Sequence, residues 1–303
     1  MPHRPRRGPA AAAALALAAA LAPALAAAAP LDTAVRIEGA AGTLVPESAI
    51  VVDDQGTETF FDTDSPTFAS VTVPRSSAFF QLERATTAAA VPLVFDVYDA
   101  NFTAGGPTPP FQTFINRIGP DAGAGALGWN FRVNGATPSA FAANQVDLHA
   151  GDRVLWFYGS GAERTLEVAV SADTVARGTP FTVSVTSRDP DGTPSPAAGA
   201  RVGYGELSAT ADAAGRATFV GQAPGVRAVQ ATRAGEIRSR ALAVCSWDGD
   251  PTACNLPLGP AAPAPAAAAT PAAAAAPVAA AAGQQQADQV APGSRNTFPR
   301  PGT

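Results

Sequence analysis

GWNFRVNGATP (Gly128 to Pro138), followed closely by LHAGDRVLWFY (Leu148 to Tyr158), decides how the first half of the chain folds. Asn134-Gly135 is the dipeptide that a two-residue type I′ hairpin turn requires, because both of its central residues take positive φ. On the Gly128 side of the turn, Trp129, Phe131 and Val133 alternate with Asn130 and Arg132, the period of a strand with two different faces. Leu148 to Asp152 reads as a tight turn around Gly151. The strand after it is apolar on both sides, with Val154, Trp156 and Tyr158 on one and Leu155 and Phe157 on the other.

Working outward toward the N-terminus, Ser76 to Ala90 carries the one convincing helical period. Ser76 or Ser77 is placed to cap it, Ala78, Phe79, Leu82 and Ala85 share a face, and Pro92 stops it. AVRIEG (from Ala34) and LVPESAIVVDD (from Leu44) read as two earlier strands, with Pro46 marking an edge or bend. Leu93 to Tyr98 and Phe111 to Ile118 read as further strands, separated by the AGGPTPP breaker. Strand, strand, helix and several strands is an α+β order with one helix across a mixed sheet. From about Arg164 to Val244 the helical period disappears. Short alternating runs such as TLEVAVSA, FTVSVTS and GVRAVQAT are separated by turns such as DPDG and DAAG. That pattern predicts an antiparallel sandwich, with the boundary near Gly159-Ser160-Gly161.

The ends differ in composition. Residues 1–29 run from a basic stretch ending at Arg7 through an Ala/Leu segment to small residues, the layout of a cleavable secretory leader. The mature protein is expected to begin between Ala27 and Pro30. The apolar run is short and broken by Pro23, so no span is expected in the mature form. Residues 256–303 are Ala/Pro-rich with few large apolar side chains, and are expected to form a disordered tail. In an exported chain, Cys245 and Cys254 are expected to form one disulfide. Secretion or attachment at the cell surface follows from the same signals.

All 20 basic residues are Arg, against 25 acids; removing Arg4, Arg6 and Arg7 with the leader takes the formal charge from −5 to −8. That sign argues against nucleic acid or anionic membrane as a partner. Catalytic patterns are missing. There is no G-x-S-x-G elbow, the only mature histidine (His149) sits in the expected turn, and both mature cysteines are committed to the bridge. The Asp-x-Asp pairs at Asp62/Asp64, Asp189/Asp191 and Asp248/Asp250 lack the further oxygen ligands of a calcium loop and read as acidic turns. The chain is therefore expected to be non-catalytic, without metal or cofactor.

The same two quoted stretches resemble the β-grasp domain found at the C-terminus of transcobalamin and in many bacterial surface proteins. Gly128, Trp129, Val133, Asn134, Gly135, Pro138, Leu148, Gly151, Asp152, Val154, Trp156 and Tyr158 carry the likeness. It implies a β-grasp domain over 31–160, with the helix on one face of a mixed sheet. In the cobalamin carriers this domain closes over a ligand also held by a helical barrel, and no stretch here is patterned as such a barrel. Accessory binding of cobalamin or a similar flat ligand is what the resemblance implies. Residues 162–255, with GARV (from Gly199) and ATADAAGRATF (from Ala209), resemble bacterial Ig-like or prealbumin-like modules.

Strand alternation also locates a candidate site. Leu93, Phe95 and Val97, with Trp129, Phe131 and Val133, are expected beneath the helix. Asp96, Tyr98, Asn130 and Arg132 are then expected on the opposite, open face beside aromatic residues of the final strand. Together with Trp156 and Tyr158 they are the candidate contacts for a small molecule or glycan. The sandwich domain is the competing occupant of that face. A surface binding module on an Ig-like spacer and a purely structural envelope protein both fit these features.

Overall fold

The computed structural model describes residues 30–53, 55–60, 71–98, 112–139, 142–250 and 254. The leader, the Asp62/Asp64 pair, Phe111 and the segment 256–303 lie outside the described residues. The chain is β-rich, with one α-helix among the described residues. In its first half, β1 (Pro30–Glu38), β2 (Thr43–Asp53), β3 (Thr57–Phe60), β4 (Val71–Pro74), α1 (Ala78–Ala88), β5 (Leu93–Tyr98), β6 (Gln112–Ile118), β7 (Asp121–Ala122), β8 (Gly128–Val133) and β9 (Arg153–Gly159) follow one another.

β1 and β9, distant in sequence, run parallel at the centre of a four-stranded sheet ordered β2-β1-β9-β8. β2 and β8 flank them antiparallel. One face of this sheet presents Val35, Ile37, Val45, Val52, Val154 and Trp156 to a shared core. The opposing layer is α1 with the separate sheet β5-β6-β7, contributing Phe79, Leu82, Ala85, Phe95, Val97 and Ile118. Ser77 caps α1 by accepting from the Phe80 N–H at 3.2 Å, one of the helix's otherwise unpaired donors. Phe80, Gln81 and Thr86 are buried as well as the expected apolar face, because the helix is covered on more than one side. The pair β3/β4 was not legible as strands in the sequence.

The second half comprises β10 (Arg164–Val170), β11 (Thr174–Ala176), β12 (Pro180–Arg188), β13 (Pro194–Pro196), β14 (Arg201–Tyr204), β15 (Leu207–Thr210), β16 (Arg216–Val220), β17 (Gly225–Thr232), β18 (Glu236–Ile237) and β19 (Leu242–Trp247). They make two five-stranded sheets. One is ordered β13-β12-β10-β18, with β16 also on β12; the other is β11-β19-β17-β14-β15. Leu166, Phe181, Val183, Val185 and Phe219 of the first meet Val202, Tyr204, Val229, Ala231 and Val244 of the second in one core. β12 shows why: its odd-numbered residues from Phe181 to Ser187 are all buried, and the residues between them are not. Gly215 is demanded by its place. Its φ is +75°, and a Cβ there would run into the Val185 carbonyl oxygen. Cys245 and Cys254 are joined as a disulfide, with Cα atoms 5.8 Å apart. Cys245 lies within β19, so the bridge ties that strand to Cys254.

Candidate functional site

The outer face of the four-stranded sheet is covered. Leu155 and Phe157 of β9 form a small apolar cluster with Ile237 of β18. Arg132, fully buried, crosses from β8 into the second body. Its Nη1 donates to Thr165 Oγ1, and its Nη2 donates to the Glu163 and Gly161 carbonyls. The guanidinium carbon lies 5.0 Å from the centroid of the Phe157 ring. Burial pushes the pKa of Arg132 down, opposed by Glu163 and Asp189. At the far end of β8, Thr137 N donates to the Pro190 carbonyl at 3.1 Å, and Ala136 lies against Gly192 of the DPDG turn.

The expected open platform is accordingly not assembled, for three physical reasons. Trp156 faces the helix side, stacks on Phe131 at 4.7 Å and is only 1% exposed. Asp96 and Tyr98 belong to β5, in a different sheet from Asn130 and Arg132. Asn130 is half-buried and spends its amide on the Gly159 and Gly128 carbonyls. Tyr158 and Trp129 form an edge-to-face pair at 5.7 Å. Their polar tips are engaged as well, Tyr158 Oη on the Ala122 carbonyl and Trp129 Nε1 on the Asp121 carbonyl.

The remaining motif residues build turns. Asn134 has φ 53° and Gly135 φ 85°, and Gly128 pairs with Gly159 at the other end of the hairpin. Asn134 Nδ2 donates to Asp152 Oδ1 at 2.7 Å, and Asn134 Oδ1 accepts from Arg153 N. Asp152 Oδ2 accepts from His149 N at 2.8 Å, and Gly151 takes φ 89°. Asn134 and Asp152 thus tie one turn to the other. The His149 imidazole is largely exposed, with Asp152 as its nearest acid at 3.7 Å. Between the bodies, the Glu163 carboxylate accepts from Ser160 N, Ser160 Oγ and Gly161 N. Burial alone would raise its pKa, but these donors outweigh it and the net direction is down.

Sequence reasoning missed a second polar cluster on the same covered side. Arg36, 8% exposed at its side chain, pairs with Glu38 at 3.3 Å and donates to the Arg238 carbonyl at 2.9 Å. Arg238 pairs with Glu38 at 3.4 Å. Beside them, Glu47 Oε1 is shared by Arg153 and Arg240. Burial lowers the pKa of Arg36 and raises that of Glu38. The one signal available was the charged pair Arg36/Glu38 alternating with the apolar Val35 and Ile37 in the first strand; its partners are distant in sequence. Elsewhere, a shallow groove on the second sheet of the sandwich is lined by Arg201, Gly203, Gly205, Ala228, Gln230 and Thr232. It has one charge and no ring. Among the described residues, no group of three or more His, Cys, Asp or Glu could hold a metal ion, and no helix is long and apolar enough to cross a membrane.

Residues 93–160 match a family described as a domain of unknown function (DUF4430), a transcobalamin-like family of domains. The match spans β5 to β9 and ends at the boundary between the two bodies. The search of curated proteins finds no match.

Proposed function

We propose that this chain is an exported, non-catalytic binding module, a β-grasp domain over 31–160 fixed on an Ig-like or prealbumin-like sandwich over 162–255. The observation that carries the two-body arrangement is the junction. Arg132, Phe157 and Ile237 join the two bodies through groups that would otherwise need solvent, so the sandwich is a mount for the first domain. The leader pattern and the Cys245–Cys254 bridge support an oxidising, extracytoplasmic location. The family match supports the β-grasp assignment.

The test has two parts. Protein recovered from the culture medium should have a mass that places its N-terminus between Ala27 and Pro30; an intact Met1 contradicts export. The same material is then screened against panels of small molecules and glycans by NMR. A saturable, site-specific shift supports a binding module. A second reading, a purely structural envelope protein, is favoured by the covering of the sheet face, and a screen without any saturable shift would select it.

A further inference from the structure

At the Arg132 junction the acceptors are neutral oxygens and the ring partner is in place, with Nε alone left without a partner among the described residues. The cluster around Glu38 and Glu47 is different. It draws Arg36, Glu38, Glu47 and Arg153 from the first body and Arg238 and Arg240 from the second. Four guanidinium groups therefore face two carboxylates, in a chain whose overall charge is negative. Arg153 and Arg240 converge on the same oxygen of Glu47. Like charges held that close oppose each other, and partial burial weakens the screening that would soften this. Arg36 registers the same field. Burial lowers its pKa first, and Arg153 and Arg240 add to that against Glu38 and Glu47. The neighbouring carboxylate of Asp121 is turned to the Ala40 N–H at 3.1 Å instead.

Domain docking alone has no use for this excess, since matched pairs would dock more strongly. The guanidinium forks also keep donors in hand. A guanidinium has five N–H donors, whereas among the described residues the Arg153 and Arg240 side chains each donate only to Glu47. Both retain about a quarter of their side-chain exposure, so the cluster opens to solvent at that end. Crevices between domains are a common place for small-molecule sites, and paired arginines match the two-oxygen edge of a carboxylate or phosphate.

We infer that the solvent-open end of this cluster, at Arg153 and Arg240 with the charge of Arg36 and Arg238 beside them, binds a small oxyanionic ligand carrying carboxylate or phosphate groups. An anion there neutralises the surplus charge and fills the free forks of Arg153 and Arg240, while Glu47 holds them in place. This deepens the binding-module reading and rests on it.

The experiment is a titration of the ¹⁵N-labelled mature protein with inorganic phosphate and, separately, with citrate, at constant ionic strength set with chloride. The Nε–H resonances of Arg153 and Arg240 should shift saturably in at least one arm. A stronger response to citrate identifies a carboxylate ligand and a stronger response to phosphate a phosphorylated one. Arg153→Gln with Arg240→Gln should weaken binding by at least about tenfold. Arg240→Gln alone, which keeps the Arg153–Glu47 pair, should weaken it by less. Arg177→Gln removes the same charge from an exposed pair with Asp248 and should leave binding unchanged. Shifts no larger than those of chloride, or undiminished affinity in the double variant, overturn the proposal. If both anions fail while a neutral sugar in the same assay shifts other resonances, the ligand class is wrong and the binding reading stands. If nothing shifts, both fall.

Discussion

Arg132→Ala tests whether the sheet face is truly occupied by the second domain. The substitution removes three hydrogen bonds from a cation and the contact with the Phe157 ring. Hydrogen bonds to charged groups contribute about 1.5–3 kcal/mol each, and a desolvated cation on a ring about 2 kcal/mol. Against these stands the desolvation of the guanidinium, several kcal/mol for a buried ion, which its lowered pKa also reflects. The net loss should be about 2–4 kcal/mol. Each kcal/mol moves the midpoint of a folded unit of this size by about 2–4 °C, so thermal unfolding should start roughly 5–15 °C lower. Because the lost contacts lie between the bodies, amide exchange should accelerate first at Gly161 to Leu166, leaving the sandwich core around Tyr204 protected. Arg132→Lys keeps the charge but not the fork, and should recover part of the loss. A change below about 0.5 kcal/mol, the usual cost at an exposed site, would refute the buried junction.

Reducing the Cys245–Cys254 bridge should cost about 2.5 kcal/mol on the chain-entropy model, read as a lower urea midpoint with an unchanged slope; free thiols in freshly isolated, unreduced protein would contradict the pairing. Gly215→Ala should be distinctly worse than Gly151→Ala. Both need positive φ, worth about 1–2 kcal/mol to an L-residue, but only position 215 has backbone in the way of a Cβ, so equal melting shifts would count against that packing. The depressed pKa of Glu163 means its ionised form is favoured in the folded state. Its contribution is therefore present above the ordinary carboxylate pKa and fades as pH falls through the lower folded value. Glu163→Gln should flatten the acid limb of the stability profile, and an unaltered limb would show that the Ser160–Glu163 turn does not depend on this carboxylate.

Much of the first domain was legible because its signals are local. Asn134-Gly135 can only be a tight turn, and Ser77 followed by a helical face can only start a helix. Two features were not local. The sequence reading placed Leu93 to Tyr98 in the same sheet as Trp129 to Val133, yet β5 pairs with β6 and β7 apart from the central sheet. Strand period reports which side chains share a face and says nothing about which strand lies beside which. β3 and β4 escaped notice because a short pair with a half-exposed alternation, held partly by Thr59 and Thr72 hydroxyls 2.9 Å apart, looks like loop.

The candidate site turns on what covers the sheet face. Strand alternation sets Arg132 on the side opposite the helix, with a ligand surface and the sandwich as competing occupants, and the structure has the second body there. An arginine can be buried when carbonyl and hydroxyl oxygens meet its fork and a ring lies under its plane, and those groups come from residues 157 to 165, across the domain boundary. The last strand had already stated the requirement. Val154 and Trp156 on one side and Leu155 and Phe157 on the other cannot all be covered by a single helix layer, so a second body had to lie against Leu155 and Phe157. Alternation demands that cover without naming it, and Ile237, which supplies it, sits in a two-residue strand with no period to read. The arginines that surround this contact were hidden for the same reason. Arg36, Arg153, Arg238 and Arg240 are unremarkable singly along the chain, and only the docking of the two bodies brings their charges together.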